Sequence, residues 1–288
     1  MTKLTKSIGV VGSTTIDKIV SQNQSVTKIG GTTTYAGITY SRHELYVFII
    51  SNIAPNERAI IDRLEQNNII VLNGETNRTT HFINDIKKDS RKQEVFNRAR
   101  PIQLRQLVTV VEGIDGLHLG PLHPDDIEPE VLTALQNTDL KIFLDVQGYT
   151  RKVVNKRVLT AVSRHLSAAL SAAHIIKANG TELKSILDCY QKSLAELMKD
   201  FKIEESVITL GQDGGWVEKQ SGDKFHYKAD KIESVTDPTG AGDVFFASYI
   251  ISRFANNRNI PDACHYAART AARQVEGTHI SIDRLVLP

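Results

Sequence analysis

Short apolar runs alternate with longer stretches of helical pattern through most of the chain. Each apolar run is continuous rather than alternating in polarity, which is typical of strands that are covered on both faces. The runs fall at residues 8–11, 45–50, 69–72, 116–119, 141–144, 174–177 and 206–210, and helical patterns lie near residues 57–66, 128–136, 155–172 and 185–199. This order predicts an α/β protein, a three-layer sandwich in which a mostly parallel sheet lies between helices.

Two segments depart from this pattern. Residues 16–29 and 79–96 are polar and alternating, which predicts exposed antiparallel strands. Both segments are too short to form domains of their own. We therefore expect residues 1–288 to form a single domain with a small β appendage, because a chain of this size can bury one large core.

Composition argues against several classes of protein. Hydrophobic residues make up 41% of the chain and charged residues 24%, which is ordinary for a soluble globular protein. A net charge of +2, without a dense block of Lys and Arg, argues against a nucleic-acid partner. The first residues lack the apolar segment of a signal peptide, and the longest apolar run is too short to cross a membrane. We expect a cytoplasmic protein with no membrane partner.

The most informative segment is Asp-Pro-Thr-Gly-Ala-Gly-Asp at residues 237–243, which an apolar run of helical length follows directly. Gly240, Ala241 and Gly242 allow the backbone to approach a ligand closely, because no large side chain intervenes. Their N–H groups would lie at a helix N-terminus, where unpaired donors and the helix dipole attract phosphate. Asp243 adds a carboxylate beside this anion site. A glycine-containing loop before a helix is common, but an anion site next to a carboxylate base is what phosphoryl transfer requires.

Two further segments suggest a polar ligand. Asp17 follows the first predicted strand, and ligands in open α/β sheets bind beyond the carboxyl ends of the strands. Its two carboxylate oxygens can accept hydrogen bonds from two hydroxyls of a polyol, although a strand-end aspartate can also form a turn. Gly30 and Gly31 precede a predicted helix and again permit close backbone approach. Tyr35, in that helix, can stack on a sugar face or pack in the core.

Asn179 and Glu182 stand at the predicted start of another helix and face the same side. Together they can hold the water shell of Mg²⁺, which prefers oxygen ligands. The pair can also cap the helix, with Asn179 as the N-cap and Glu182 bonding back to it. The two roles are compatible, because a capped helix also fixes the pair in place.

Two loops give weaker signals. Residues 209–214 read Thr-Leu-Gly-Gln-Asp-Gly, a glycine-containing turn at the end of a predicted strand. Residues 145–151 also follow a strand and contain Gln147 and Arg151. Arg151 offers a fork of donors that suits phosphate, and Gln147 can bond phosphate or sugar. A solvated polar loop is an equal interpretation of these two residues.

These segments resemble, in their order along the chain, the motifs of the PfkB family of carbohydrate and nucleoside kinases. The strongest match is residues 237–243, and the resemblance runs from residue 12 to about residue 277. It implies a ribokinase-like fold in which residues 16–29 and 79–96 contribute a small β-lid over the sugar. It also implies a cytoplasmic phosphotransferase that uses ATP and Mg²⁺.

The resemblance further implies a role for each matched residue. The residues implied in catalysis are Asp243 as general base and Gly240, Ala241 and Gly242 as the anion hole. Those implied in substrate binding are Asp17, Gly30 and Gly31, with Tyr35 in the same segment. Those implied in nucleotide binding are Asn179, Thr209, Gly211 and Gly214, and Glu182 is implied to hold Mg²⁺ through water.

The chain departs from the family pattern at Tyr35 and Thr15, where ribokinase-type members carry asparagine. These changes remove amide groups that could define a ribose, so we expect a hexose or polyol acceptor. The loop with Gln147 and Arg151 is similar to that of a subgroup resembling plant inositol kinases, which makes myo-inositol the first compound to test. A nucleoside kinase and a catalytically weak sugar sensor of the same fold are the alternatives. The sequence does not fix the acceptor or decide whether the chain forms a homodimer.

Overall fold

The structure is a computed structural model that describes residues 5–21, 24–87 and 90–287. Its strands are β1 (Ser7–Gly12), β2 (Thr15–Ser21), β3 (Gln24–Gly30), β4 (Tyr46–Ser51), β5 (Ile69–Asn73), β6 (Thr80–Lys87), β7 (Ser90–Asn97), β8 (Gly116–Gly120), β9 (Lys141–Asp145), β10 (Arg151–Val154), β11 (Arg157–Thr160), β12 (Ile175–Asn179), β13 (Glu205–Thr209), β14 (Gly215–Lys219) and β15 (Lys224–Tyr227). Its α-helices are α1 (Thr32–Ser41), α2 (Arg58–Glu65), α3 (Leu104–Val111), α4 (Pro129–Leu135), α5 (Leu166–Ala172), α6 (Gly180–Tyr190), α7 (Leu194–Phe201), α8 (Ala241–Ile250) and α9 (Ile260–Val275).

A large sheet has the strand order β15-β14-β13-β12-β9-β8-β1-β4-β5. From β13 to β5 all neighbouring strands pair in parallel, whereas β14 and β15 add an antiparallel edge. Each apolar run that predicted a strand forms one here, with small differences at the ends. Because parallel strands all end at the same edge, the loops after β1, β8, β9 and β12 meet there.

Helices cover both faces of the large sheet. Successive side chains of a strand point to opposite faces, so each strand contributes to a core on either side. Val10 and Ile49 lie in a core shared with α1, α2, α8 and α9, whereas Val11 and Ile50 lie in a second core with α3 to α7. Burial on both faces explains why the strand sequences are continuously apolar. Among the described residues, no helix combines the length and apolar character needed to cross a bilayer.

A second, smaller sheet has the order β10-β11-β7-β6-β2-β3. Its strands β2, β3, β6 and β7 come almost entirely from residues 16–29 and 79–96, of which residues 22–23 and 88–89 lie outside the described ranges. β2 and β6 pair in parallel, and the other neighbours pair in antiparallel fashion. The small sheet begins at Thr15, directly after β1, and therefore stands over the carboxyl edge of the large sheet.

The helix predicted at residues 155–172 is wrong for its first half. The hairpin of β10 and β11 occupies that part, and only Leu166–Ala172 is helical. Asn155 and Lys156 form the turn of the hairpin with φ of 48° and 69°. Asn tolerates this left-handed conformation, so the local turn preference prevails over the helical pattern.

The helical structure predicted near residues 185–199 is confirmed, but two helices share this stretch instead of one. α6 ends before Gln191, which has a φ of 52°, and α7 begins after Ser193. Ser193 Oγ accepts a hydrogen bond from the Glu196 N–H, and the Glu196 carboxylate accepts one from the Ser193 N–H. This capping box starts a new helix within what the hydrophobic pattern predicts as one.

One buried ion pair joins the small sheet to the segment before α8. Lys28 of β3 is fully buried, and its ammonium group donates to the Asp237 carboxylate. Desolvation opposes ionisation of Asp237, but the charge of Lys28 and hydrogen bonds from Thr239 outweigh it, so the pKa of Asp237 is lowered. The same ammonium lies 5.8 Å from the centre of the Tyr35 ring. The pair therefore fixes β3 and the residue that opens the 237–243 segment relative to each other.

We expect Lys28→Met to destabilise the protein, since it leaves the Asp237 carboxylate largely desolvated without its cation. Removing one partner of a buried pair costs about 3 kcal/mol of unfolding free energy, which urea denaturation measures. The matched control is Lys184→Met, which removes the ammonium group of an exposed pair with Asp188 and should cost less than about 1 kcal/mol. Equal losses in the two variants would contradict the importance of the buried pair.

Candidate active site

The loops at the carboxyl edge of the large sheet, the small sheet and the N-terminus of α8 enclose a cavity of about 170 Å³, called the central cavity below. Its lining residues are Asp17, Gly31, Thr32, Tyr35, Phe82, Gln93, Leu122, Gln147, Arg151, Lys177, Pro238, Thr239, Gly240, Gly242 and Asp243. The structure thus brings together many of the residues that the sequence motifs single out, although they are far apart along the chain.

The turn before α8 depends on glycine. Gly240 is left-handed with φ of 79°, and a Cβ added there would lie 2.3 Å from Cδ1 of Tyr35. Gly240 and Gly242 both line the central cavity. Ala241 does not line it, and the Ala241 N–H donates to the Pro238 carbonyl at 3.3 Å. Gly240 and Gly242 therefore border the cavity, whereas the Ala241 N–H already has an acceptor within the turn.

Asp243 lies in the first turn of α8, and its Oδ1 accepts a hydrogen bond of 2.9 Å from Thr32 Oγ1 of α1. Desolvation raises the pKa of Asp243 to about 6, and the charge of Asp145 acts in the same direction. Lys177, Thr32 and Arg151 oppose this rise. A carboxyl group with a pKa near neutrality can be ionised and still accept a proton readily, which suits a general base.

Lys177 is a cavity residue that the sequence motifs do not reveal. It lies in β12, is 5% exposed, and donates to Asp145 Oδ2 at 2.8 Å. Desolvation favours the neutral amine, but Asp145, Glu182 and Asp243 outweigh it, so the pKa of Lys177 is raised and the group is charged. A Cβ added at Gly242 would lie 3.3 Å from Lys177 Nζ, which places the ammonium group beside the turn of residues 240–242. This turn is called the anion loop below, because the sequence predicts an anion site there. The available signal was a lysine within an apolar strand, where an unpaired charge would be costly.

Asp17 of β2, in the small sheet, also lines the central cavity. It is 7% exposed, and its Oδ1 accepts a hydrogen bond of 2.7 Å from Thr15 Oγ1. Gly30 does not line the cavity, but a Cβ there would lie 2.3 Å from Asp17 Oδ2, so the glycine makes room for the carboxylate. Tyr35 is 1% exposed and packs against Gly240. Its ring borders the cavity, but this packing favours a core role over stacking on a sugar.

Gln147 and Arg151, whose contacts the sequence leaves open, both line the central cavity. They come from the segment between β9 and the first residue of β10. Gln93 and Phe82 of the small sheet line the same cavity. Donors and acceptors from both sheets can therefore bond a hydroxylated ligand.

The residues that the resemblance associates with a nucleotide lie outside the central cavity. Asn179 and Glu182 form a capping box, in which Asn179 Oδ1 accepts from the Glu182 N–H at 2.9 Å and Glu182 Oε2 accepts from the Asn179 N–H at 2.8 Å. Glu182 is 6% exposed, and desolvation raises its pKa. Thr209 pairs with Asn179 across β12 and β13, and the turn after it contains Gly211 and Gly214, with φ of 62° and 80°. These residues form one neighbourhood at the ends of the two strands.

Comparison with known proteins identifies the family. The family model described as pfkB family carbohydrate kinase matches residues 56–283, well over half of the chain, and the protein therefore belongs to this family. A search of curated protein sequences gave no match.

Solved structures share the fold. A pyrophosphate-dependent kinase in the ribokinase family, complexed with a pyrophosphate analogue and myo-inositol, has a TM-score of 0.82 and 18% identity over 96% of this chain and 97% of that chain. A nucleoside kinase from Burkholderia thailandensis in complex with inosine has a TM-score of 0.78 and 16% identity, covering 96% and 94% of the two chains. Ribokinase from Thermotoga maritima has a TM-score of 0.75 and 16% identity, covering 97% and 96%. These similarities confirm the predicted ribokinase-like α/β fold.

We expect Thr32→Val to raise the pKa of Asp243 above its value of about 6, because the hydroxyl bonds the ionised carboxylate. Carboxyl ¹³C NMR titration of aspartate-labelled protein measures this pKa, and Asp243→Asn assigns the signal. The control is Thr34→Val on the same helix, whose hydroxyl bonds the Gly30 carbonyl at 2.7 Å and not the carboxylate. Identical titration of Asp243 in both variants would show that the Thr32 contact has no electrostatic effect.

Proposed function

We propose that the protein transfers a phosphoryl group from ATP to a hydroxyl of a small sugar or polyol. The observation that carries this proposal is the arrangement at α8, where Asp243 directly follows Gly242 and faces the same cavity as Asp17. A base, an anion site and a carboxylate that can bind hydroxyls are the parts that such a transfer needs. The central cavity, at about 170 Å³, favours an acceptor of monosaccharide or cyclitol size.

In the proposed reaction, Asp17 orients the acceptor and Asp243 accepts the proton of one hydroxyl. The hydroxyl oxygen forms a bond to the γ-phosphorus while the bond from that phosphorus to its bridging oxygen breaks, and ADP leaves. The backbone at Gly240 and Gly242 and the ammonium group of Lys177 stabilise charge on the transferred phosphoryl group. Asp243 acts as a base only when it is ionised, so its raised pKa limits activity at low pH.

The oxygen atoms of the side chains at the start of α6 suit a magnesium ion that is held through water. Glu182 uses Oε2 to cap the helix, and Oε1 has no hydrogen-bond partner among the described residues. Mg²⁺ keeps several waters and needs few protein ligands when phosphates supply the rest. The residues that the structure describes contain no cluster of three or more metal-ligating side chains, and a magnesium ion held through water does not need one. When bound, the ion would neutralise charge on the donor phosphates.

Pyrophosphate is the second candidate donor, because a structurally similar kinase uses it. At 18% identity this similarity shows a shared fold, but it does not show that the two proteins use the same phosphate donor. The turn at residues 209–214, which resembles the nucleotide-binding turn of the family, supports ATP. We therefore keep ATP as the proposed donor and compare both donors directly.

A hexose or polyol is the proposed acceptor. Thr15 directs its hydroxyl to Asp17, and Tyr35 packs against Gly240, so neither side chain supplies the amide that a ribose site would use. A site without those amide partners binds ribose no better than other sugars or polyols, so it does not select ribose. A similar structure contains myo-inositol, which supports testing this compound first.

Asp243→Asn should keep the fold and ligand binding but lower kcat by at least about 100-fold, since it removes the proton acceptor. In the unmodified protein kcat should fall as the pH decreases through about 6, where Asp243 becomes protonated. Steady-state kinetics from pH 5 to 9 measure both effects. Asp188→Asn, at an exposed carboxylate, serves as the control and should change neither. Near-normal turnover of Asp243→Asn would remove Asp243 from the mechanism.

Among donor and acceptor pairs, we expect ATP with myo-inositol or fructose to give the highest kcat/KM. The panel pairs ATP and pyrophosphate with myo-inositol, fructose, ribose and adenosine, each with Mg²⁺ and with EDTA. Chelation should abolish turnover, because the donor phosphates then lose their counter-charge. An advantage of about tenfold for ribose or adenosine would overturn the acceptor class. Higher turnover with pyrophosphate would overturn the donor, and ligand binding without turnover would favour the sensor alternative.

A further inference from the structure

A second cavity, of about 440 Å³, lies between the small sheet and the loop after β8. Its lining includes Arg78, Arg98 and Arg100, so we call it the arginine cavity. Val95 of β7 and Val153 of β10 supply an apolar side. None of its lining residues lines the central cavity. The site described above therefore does not account for these three arginines.

Two of the three guanidinium groups have no acidic partner among the residues that the structure describes. Arg98 lies 3.3 Å from Asp125 Oδ2 and 2.8 Å from His123 Nε2, so its charge is partly balanced. The side chains of Arg78 and Arg100 form no ion pair and no hydrogen bond within the described parts of the chain. Both residues line the arginine cavity, and Arg100 also borders a neighbouring cavity that contains Glu75. Like charges that line one cavity repel each other, and a bound anion would relieve the repulsion.

The second carboxylate in the arginine cavity does not supply the missing charge. Asp126 is 9% exposed, and its Oδ2 accepts hydrogen bonds from the N–H groups of Leu122 at 2.7 Å and His123 at 2.9 Å. Its carboxylate is therefore committed to shaping the loop after β8. Desolvation raises its pKa, which further reduces its value as a counter-ion for the arginines.

The two cavities are neighbours under the same sheet. Gln93 of the central cavity and Val95 of the arginine cavity are alternate residues of β7, so they point to the same face about 7 Å apart. Leu122 and His123, adjacent in sequence, likewise line one cavity each. A ligand in the central cavity and an anionic group in the arginine cavity would therefore lie close together.

We propose that the arginine cavity binds an oxyanion, a phosphate or carboxylate group, through Arg78 and Arg100. Guanidinium groups match such anions because their planar N–H donors can make paired, charge-assisted hydrogen bonds. The anion has two sources: a charged substituent on the acceptor, or a free anion that binds next to it. The first source rests on the proposed kinase function, whereas oxyanion binding itself does not.

The test of binding uses inorganic phosphate and the full-length protein. Thermal denaturation over a phosphate series gives an apparent dissociation constant for the unmodified protein, for Arg78→Gln/Arg100→Gln, and for the control Arg58→Gln/Arg105→Gln. The control removes two exposed arginines that lie outside the cavity. Phosphate held by the anion loop contributes equally to all three proteins.

We expect the dissociation constant of Arg78→Gln/Arg100→Gln to rise by about tenfold or more, and that of the control to stay within about twofold. A similar constant in all three proteins, or no stabilisation by phosphate, would overturn the proposal. Both arginines are exposed, so the variants should fold, and Arg78→Lys/Arg100→Lys should recover part of the binding because it restores the charge. Failure of the lysine variant to bind better than the glutamine variant would also count against an electrostatic site.

A kinetic comparison then distinguishes the two sources. If the anion belongs to the acceptor, Arg78→Gln/Arg100→Gln should raise KM for a hexose phosphate about tenfold while leaving an uncharged polyol unaffected. If the anion is free, added phosphate should change the KM of the uncharged polyol in the unmodified protein but not in the variant. Absence of all turnover would contradict the kinase proposal while the phosphate-binding result stands on its own.

Discussion

The candidate active site depends on one desolvated ammonium group that offsets several carboxyl groups. Lys177 is 5% exposed and bonds Asp145, which is 1% exposed, while Glu182 and Asp243 also act on it. Without this cation the carboxyl groups would repel one another and one would have to take up a proton. Asp243, whose pKa is already raised to about 6, would be an obvious recipient, and it could then not serve as the base that we propose. The charge on Lys177 thus links the stability of the sheet edge to the chemistry that we propose there.

The anion loop is held from two sides by contacts that join separate layers of the fold. Tyr35 of α1 packs against Gly240 so closely that no side chain fits on that residue. Lys28 of the small sheet pairs with Asp237, at the start of the same segment. The loop is therefore shaped by α1 and by β3 as well as by α8. The small sheet, where a ligand would bind, and the loop, where a phosphoryl group would bind, are therefore already joined to each other by these contacts.

The large sheet and the cluster around Asp243 follow from sequence because their signals are local: continuous apolar strands, and small residues before a helix. The hairpin of β10 and β11 does not, since a turn at Asn155 and Lys156 outweighs a helical pattern. A lysine within an apolar strand is a local signal for Lys177, but its partner Asp145 is identified only once β12 lies beside β9. The exclusion of Ala241 from the cavity likewise depends on how α8 is oriented, which no sequence pattern specifies.

The most direct test of this account is the pH dependence of kcat in Lys177→Gln. This substitution removes the charge but keeps an N–H donor for Asp145, so the strand can remain folded. We predict that the acidic limb of the profile, near pH 6 in the unmodified protein, moves to higher pH because the Asp243 carboxylate loses its nearby cation. Turnover at the plateau should fall by about 100-fold, as expected for the loss of one charge-stabilising group. An unchanged limb with turnover within about threefold of normal would contradict the central role of Lys177.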